Sequence, residues 1–209
     1  MTLAKNIAKH LLEVKAVTLS PNEPYTWASG LKSPIYCDNR ITMSFPETRN
    51  TIAQGFAQQI KAIYPDVEYI VGTATAGIPQ ACWVAEILGL PMAYVRPKPK
   101  DHGKSKQIEG FIPEGAKVVV IEDLISTGGS CIKACEALRV EGIEILGVMA
   151  VFTYELESAK TNFEHADIEL VTLSNYTTLI EIAKEQGYID QGDVLLLQSW
   201  KASPHSYGI

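Results

Sequence analysis

The chain has 209 residues, 46% of them hydrophobic and 20% charged, a composition that fits one globular domain with a real core. Its formal net charge is -6, which repels nucleic acid in bulk. No apolar run approaches the roughly 20 residues of a membrane helix. The four cysteines, Cys37, Cys82, Cys131 and Cys135, form no CxxC pair and no Cys/His cluster of zinc spacing. Free thiols, together with an N-terminus that lacks a continuous apolar signal region, predict a cytoplasmic protein with neither a nucleic-acid nor a membrane partner. Cys131 and Cys135 lie one helical turn apart and read as small half-buried helix residues.

Ile7, Leu11 and Leu12 have helical spacing. Residues 18–42 are rich in Pro, Gly, Ser and Asn and predict loops and short strands, a small N-terminal hood. Ser44-Phe45-Pro46-Glu47 has capping-box spacing, with Pro where a first helical turn accepts it. The helix it opens is expected to run to about residue 63, with Ile52, Phe56 and Ile60 on one face. Strands and helices then alternate: strand 67–71, helix 77–88, strand 92–95, strand 117–121, helix 128–140 and strand 143–152. Between 95 and 117 lies a basic segment, 96–110, without periodicity. Alternation of this kind predicts an α/β fold with a central parallel sheet flanked by helices and the ligand at the C-terminal strand ends.

The sharpest motif lies at such an end. Val118-Val119-Val120-Ile121 runs into Glu122-Asp123, then Leu124-Ile125-Ser126-Thr127-Gly128-Gly129-Ser130. Glycines and hydroxyls leading into a helix let backbone N–H groups close around a phosphate. On its own, such a loop reads equally well as a capped turn. The two acids alter the balance. They would repel phosphate unless something sits between, and carboxylates accepting from vicinal hydroxyls beside a phosphate cradle describe a ribose 5-phosphate site. The triphosphate pattern GxxxxGK[ST] and the dinucleotide pattern GxGxxG are both absent.

The basic segment holds Arg96, Lys98, Lys100, Lys104 and Lys106 against Asp101, with His102 beside them. The plain reading is a solvated charged loop. Its place after a strand end, Gly103 and Gly110 as hinges, and a length of about 15 residues favour function. A local cationic stretch on an acidic chain suits a small anionic ligand.

The hydrophobic strand, two acids and Thr-Gly-Gly resemble the phosphoribosyl pyrophosphate signature of type I phosphoribosyltransferases. Glu122-Asp123-Leu124-Ile125-Ser126-Thr127-Gly128-Gly129-Ser130 is similar to the orotate branch in particular, as are Arg96-x-x-x-Lys100-Asp101-His102-Gly103 and Ser29-Gly30-Leu31-Lys32-Ser33-Pro34. These motifs fall between residues 20 and 155. The resemblance implies one type I phosphoribosyltransferase domain over residues 1–209, its hood mainly within 1–45. It implies transfer of ribose 5-phosphate from phosphoribosyl pyrophosphate (PRPP) to orotate, giving orotidine 5′-monophosphate and pyrophosphate, a step of pyrimidine (UMP) biosynthesis. Glu122 and Asp123 would hold the ribose hydroxyls, and Ser126 to Ser130 the 5′-phosphate, with the whole run 122–130 lining the PRPP site and Ser126 near orotate. Arg96, Lys100 and His102 would form a catalytic lid over the pyrophosphate, reaching into the neighbouring subunit of a homodimer. Residues 72–79 would be the pyrophosphate loop. Mg2+ would be held mainly by the substrate, with no ligands from protein side chains.

Four positions depart from the pattern: Pro97 and Ala76 stand where relatives carry Lys, Ala28 where some carry a substrate-touching Lys, and Tyr154 near an orotate-contacting Arg. Lys98 follows Pro97 and is a candidate replacement. The orotate carboxylate is left to Lys32, Arg40 or backbone donors, and Tyr36 reads as a core or stacking residue. A purine-type transferase would share the acid–glycine loop but not the lid and hood. A PRPP-sensing nucleic-acid binder would need an added binding segment or a broad basic face.

Overall fold

The computed structural model describes residues 1–27, 30–98 and 107–207. The chain opens with α1 (Leu3–Glu13), capped by the Thr2 hydroxyl, which accepts from the Lys5 amide at 3.3 Å. Four short strands follow: β1 (Val17–Leu19), β2 (Tyr25–Thr26), β3 (Lys32–Ser33) and β4 (Ile35–Cys37). β1 pairs antiparallel with β4, and β2 with β3. This is the hood, and a 3-10 turn, Asn39–Ser44, leads out of it into α2 (Pro46–Ile63).

The expected capping box does not form. Ser44 is wound into the 3-10 turn, so Phe45 becomes the N-cap and donates no side-chain bond. Pro46 at the first position fixes φ and has no amide in need of a cap.

The body alternates as the sequence predicts: β5 (Tyr69–Thr73), α3 (Gly77–Leu88), β6 (Met92–Val95), β7 (Ile108–Glu109), β8 (Lys117–Ile125), α4 (Gly129–Val140), β9 (Glu144–Thr153), α5 (Glu157–His165), β10 (Leu170–Asn175), α6 (Tyr176–Glu185) and α7 (Gln191–Ala202). The main sheet has the order β10-β9-β8-β5-β6-β7, parallel except for β7 against β6. Among the described residues no helix is long and apolar enough to cross a membrane.

Two expectations needed revision. β8 continues four residues beyond the predicted 121, because β9 runs alongside and offers ladder partners as far as Ile125↔Thr153. The acid pair therefore sits inside the strand rather than after it. Part of the segment read as structureless is β7, where Tyr94↔Glu109 and Val95↔Ile108 pair. Two residues are too few to show a period in the sequence.

Val118, Val119, Val120 and Ile121 are fully buried because β8 is covered on both faces. Val119 and Ile121 join the core beneath α1, α2, α3, α6 and α7, while Val118 and Val120 join the core beneath α4 and α5. Cys131 and Cys135 belong to that second core and are buried outright, not by half.

The hood is tied to the body by aromatic packing. Trp200 of α7 is fully buried, and its indole N–H donates to the Lys32 carbonyl at 3.1 Å. Its ring lies 5.8 Å from Trp27, 6.0 Å from Tyr154 and 5.3 Å from Tyr176. Truncating a buried Trp costs about 3–5 kcal/mol. Trp200→Ala is accordingly expected to lower the unfolding free energy by about that amount in urea titration, and to loosen the hood, read as faster amide exchange over residues 25–37.

Candidate active site

Glu122 and Asp123 lie where β8 outruns β5, whose pairing ends at Ile121, while it still pairs with β9. Glu122 is 8% exposed and Asp123 half-buried. Burial pushes the Glu122 carboxyl up to about 8, and the neighbouring Asp123 adds to this. Burial raises Asp123 as well, partly offset by hydrogen bonding to Glu122 and by the Arg40 charge. Two carboxylates this close in a dry site cannot both ionise without cost. Both are therefore harder to ionise than a free carboxyl, and the Glu122 Oε1 accepts from the Asp123 backbone amide at 3.0 Å.

Two loops frame the pair. The first is Thr73–Ala76, between β5 and α3. Its Thr73 hydroxyl donates to the Ile121 carbonyl at 3.2 Å. Gly77 is needed here because a Cβ would lie 2.4 Å from the Ile121 carbonyl oxygen. α3 has no side-chain cap at Ala76. The second is Ser126–Ser130. Gly128 has φ 79°, and a Cβ there would lie 2.5 Å from the Phe163 ring. The Thr127 carbonyl accepts from the Asn162 side-chain Nδ2 at 2.9 Å, so α5 holds the loop from behind. α4 also begins without a side-chain cap. Its first amides therefore remain open to an anion. Ser126 is half-buried, and Thr127 and Ser130 are exposed.

A cleft of about 520 Å³ joins the acids to the first loop, Ser130, Lys133, Arg96 and Pro97. Arg96 follows β6; its amide donates to the Gln107 carbonyl at 2.8 Å and its Nη1 lies 3.6 Å from the Glu109 carboxylate. Lys100 and His102 lie outside the described residues. Leu124 lines the cleft, whereas the Ile125 side chain is core and leaves only its backbone for a ligand.

The structure adds residues that the sequence reading passed over. The Asn39 side-chain amide donates to the Asp123 carbonyl at 2.6 Å, and the Thr42 hydroxyl to the Asn39 carbonyl at 2.6 Å. Gln80 reaches Thr42 at 3.4 Å. Lys133 joins the cleft from the second turn of α4. No local pattern marks these positions. Only the buried polar character of Asn39 and Gln80 among apolar neighbours could have drawn attention. Tyr36 is 47% exposed, with its ring 5.7 Å from Tyr25, so it is a stacking residue rather than core. Among the described residues no group of three or more His, Cys, Asp or Glu side chains converges as a metal site.

A buried acid pair at a central strand end, with a glycine loop opening a helix beside it, defines the class, and the phosphoribosyl transferase domain family matches residues 49–176. The orotate phosphoribosyltransferase of Enterococcus faecalis is 62% identical over 206 residues, covering 99% of this chain and 98% of that protein. The chain belongs to the orotate phosphoribosyltransferase family. The crystal structure of the orotate phosphoribosyltransferase from Aeropyrum pernix is similar, with TM-score 0.76 and 28% identity over 88% of this chain and 99% of that one. Leishmania donovani UMP synthase shares the fold, with TM-score 0.81 at 24% identity; the match covers 95% of this chain and 42% of that one.

Because Glu122 is raised from near 4.5 to about 8, folding takes up a proton between those values. The stability this contributes is full below about pH 4.5 and is lost as pH rises through 8. The ligand-free protein should lose stability between pH 5 and 9, and Glu122→Gln should flatten that slope. Melting temperatures across the range test this, and equal slopes for both proteins would count against it.

Proposed function

We propose that the chain transfers ribose 5-phosphate from PRPP to orotate, giving orotidine 5′-monophosphate and pyrophosphate, as a step of pyrimidine nucleotide synthesis. The observation that carries this reading is the buried Glu122–Asp123 pair set between two loops with uncapped helix N-termini. One loop suits each phosphate end of the substrate, and the acids suit the sugar between them.

In this reading the amides and hydroxyls of Ser126–Ser130 hold the 5′-phosphate, Glu122 and Asp123 accept from the ribose hydroxyls, and Ser126 also faces orotate. The Thr73–Ala76 loop takes the pyrophosphate through backbone amides, since Ala76 offers no charge. As the bond from the sugar to pyrophosphate breaks, negative charge builds on the leaving group and cationic character on the sugar. Arg96, Lys100 and His102 neutralise the leaving group, and the 96–110 segment excludes water. The orotate nitrogen is already electron-rich as the anion, so no dedicated general base is assigned. His102 either bonds to phosphate or relays a proton.

A Mg2+ ion would be held mainly by substrate and water, with no ligands from protein side chains. When bound, that ion would neutralise pyrophosphate oxygens. The chain works as a cytoplasmic homodimer built from one domain over 1–209, with the hood within 1–45. In this reading the 96–110 lid acts across the dimer interface.

The experiment is loss of orotate absorbance with PRPP and Mg2+, for wild type and Lys100→Ala. Rapid loss with pyrophosphate released in equal amount is expected. The variant is expected to fall by roughly 100-fold or more, the order reported for removing one group that stabilises transition-state charge. Turnover of a purine base in place of orotate would refute the substrate assignment.

A further inference from the structure

The reaction proposed above leaves one anion unmatched, the carboxylate of orotate. Position 28 is Ala, and Tyr154 is 3% exposed, packed 5.1 Å from Trp27 and 5.9 Å from Phe152. Neither supplies a cation. Three cations stand near the hood side of the acid pair. Lys201 is committed to Glu155 at 2.9 Å and Thr177 at 2.8 Å. Lys32 donates to Thr26 at 2.8 Å inside the hood and lines a second cleft, with Trp27, Ser126 and Thr127, that does not include the acid pair.

Arg40 is placed differently. Asp38 takes its Nε at 2.6 Å and its Nη2 at 2.8 Å. That fork fixes the guanidinium plane and leaves the Nη1 edge to donate. The side chain is 60% exposed. Its chain neighbour Asn39 donates through its side chain to the Asp123 carbonyl at 2.6 Å, so the 3-10 turn that carries Arg40 is tethered to the strand that carries the acids. Its charge acts on Asp123, and Asp123 and Tyr36 act on it in turn. Arg40 and the exposed Tyr36 ring therefore flank the hood's exit, next to the residue that bonds Asp123.

Orotate chemistry selects that position. The carboxylate sits on the ring carbon next to the attacking nitrogen, so it comes to rest beside the sugar whose hydroxyls the acid pair accepts. We propose that Arg40, held by Asp38, binds the orotate carboxylate and sets the preference for a 6-carboxylated pyrimidine, with Tyr36 as the flat wall against the ring. This rests on the proposed reaction.

The test is calorimetric binding of orotidine 5′-monophosphate and of UMP, the same nucleotide without the carboxylate. Wild type is expected to favour the former. Arg40→Gln should weaken orotidine 5′-monophosphate by roughly 10- to 100-fold, the range for a lost charge-assisted pair, and leave UMP within about twofold. Arg40→Lys should recover part of the loss, and Lys32→Gln should keep the preference. Unchanged affinity in Arg40→Gln, equal weakening of both nucleotides, or loss of preference in Lys32→Gln would overturn the assignment. Wild-type protein that binds neither nucleotide would instead overturn the reaction on which it rests.

Discussion

Two carboxylates side by side in a dry strand end are costly, and the rest of the site is arranged around that cost. Glu122 and Asp123 extend a strand whose preceding residues, Val118 to Ile121, are buried on both faces. The strand cannot swing the acids into water without breaking its ladder with β9, which pairs as far as Ile125↔Thr153. The pair is held where polyhydroxylated, cation-bearing substrate is the natural way to satisfy it. Until then both stay harder to ionise than a free carboxyl.

The neighbouring loops serve the same constraint from either side. Gly77 lets the Thr73–Ala76 turn pack against the Ile121 carbonyl, and Gly128 lets the Ser126–Ser130 turn pass against Phe163. Both lead into helices that begin without a side-chain cap, so their first amides stay open. This matters more here because neither Ala76 nor Pro97 carries a charge. An acidic chain can bind a polyanion when its local donors are backbone dipoles and a few cations, whatever the net charge.

The hood depends on the far end of the chain. Trp200 of α7 bonds to the Lys32 carbonyl and packs on Trp27. Asn39 then links the hood's exit to the Asp123 carbonyl. The hood and the acid-bearing strand are thus joined through one buried aromatic cluster and one polar bond, the Trp200–Lys32 contact spanning 168 residues of sequence.

Most of the fold was legible in the sequence. Helices 77–88 and 92–95 as a strand match their observed bounds, because a continuous apolar run or a helical period is a local signal. The acid–glycine loop was legible for the same reason, since its residue types lie in one stretch. What the sequence could not decide depended on partners distant in the chain. β8 outran its apolar stretch because β9 was alongside. Ser44 failed to cap α2 because the preceding residues wound into a 3-10 turn. Ile125 proved to be core, because it packs with Val118, Val120 and Phe163 beneath α4 and α5. Pattern and propensity act over a few residues; burial, pairing and electrostatic neighbourhood are set only when the chain closes on itself.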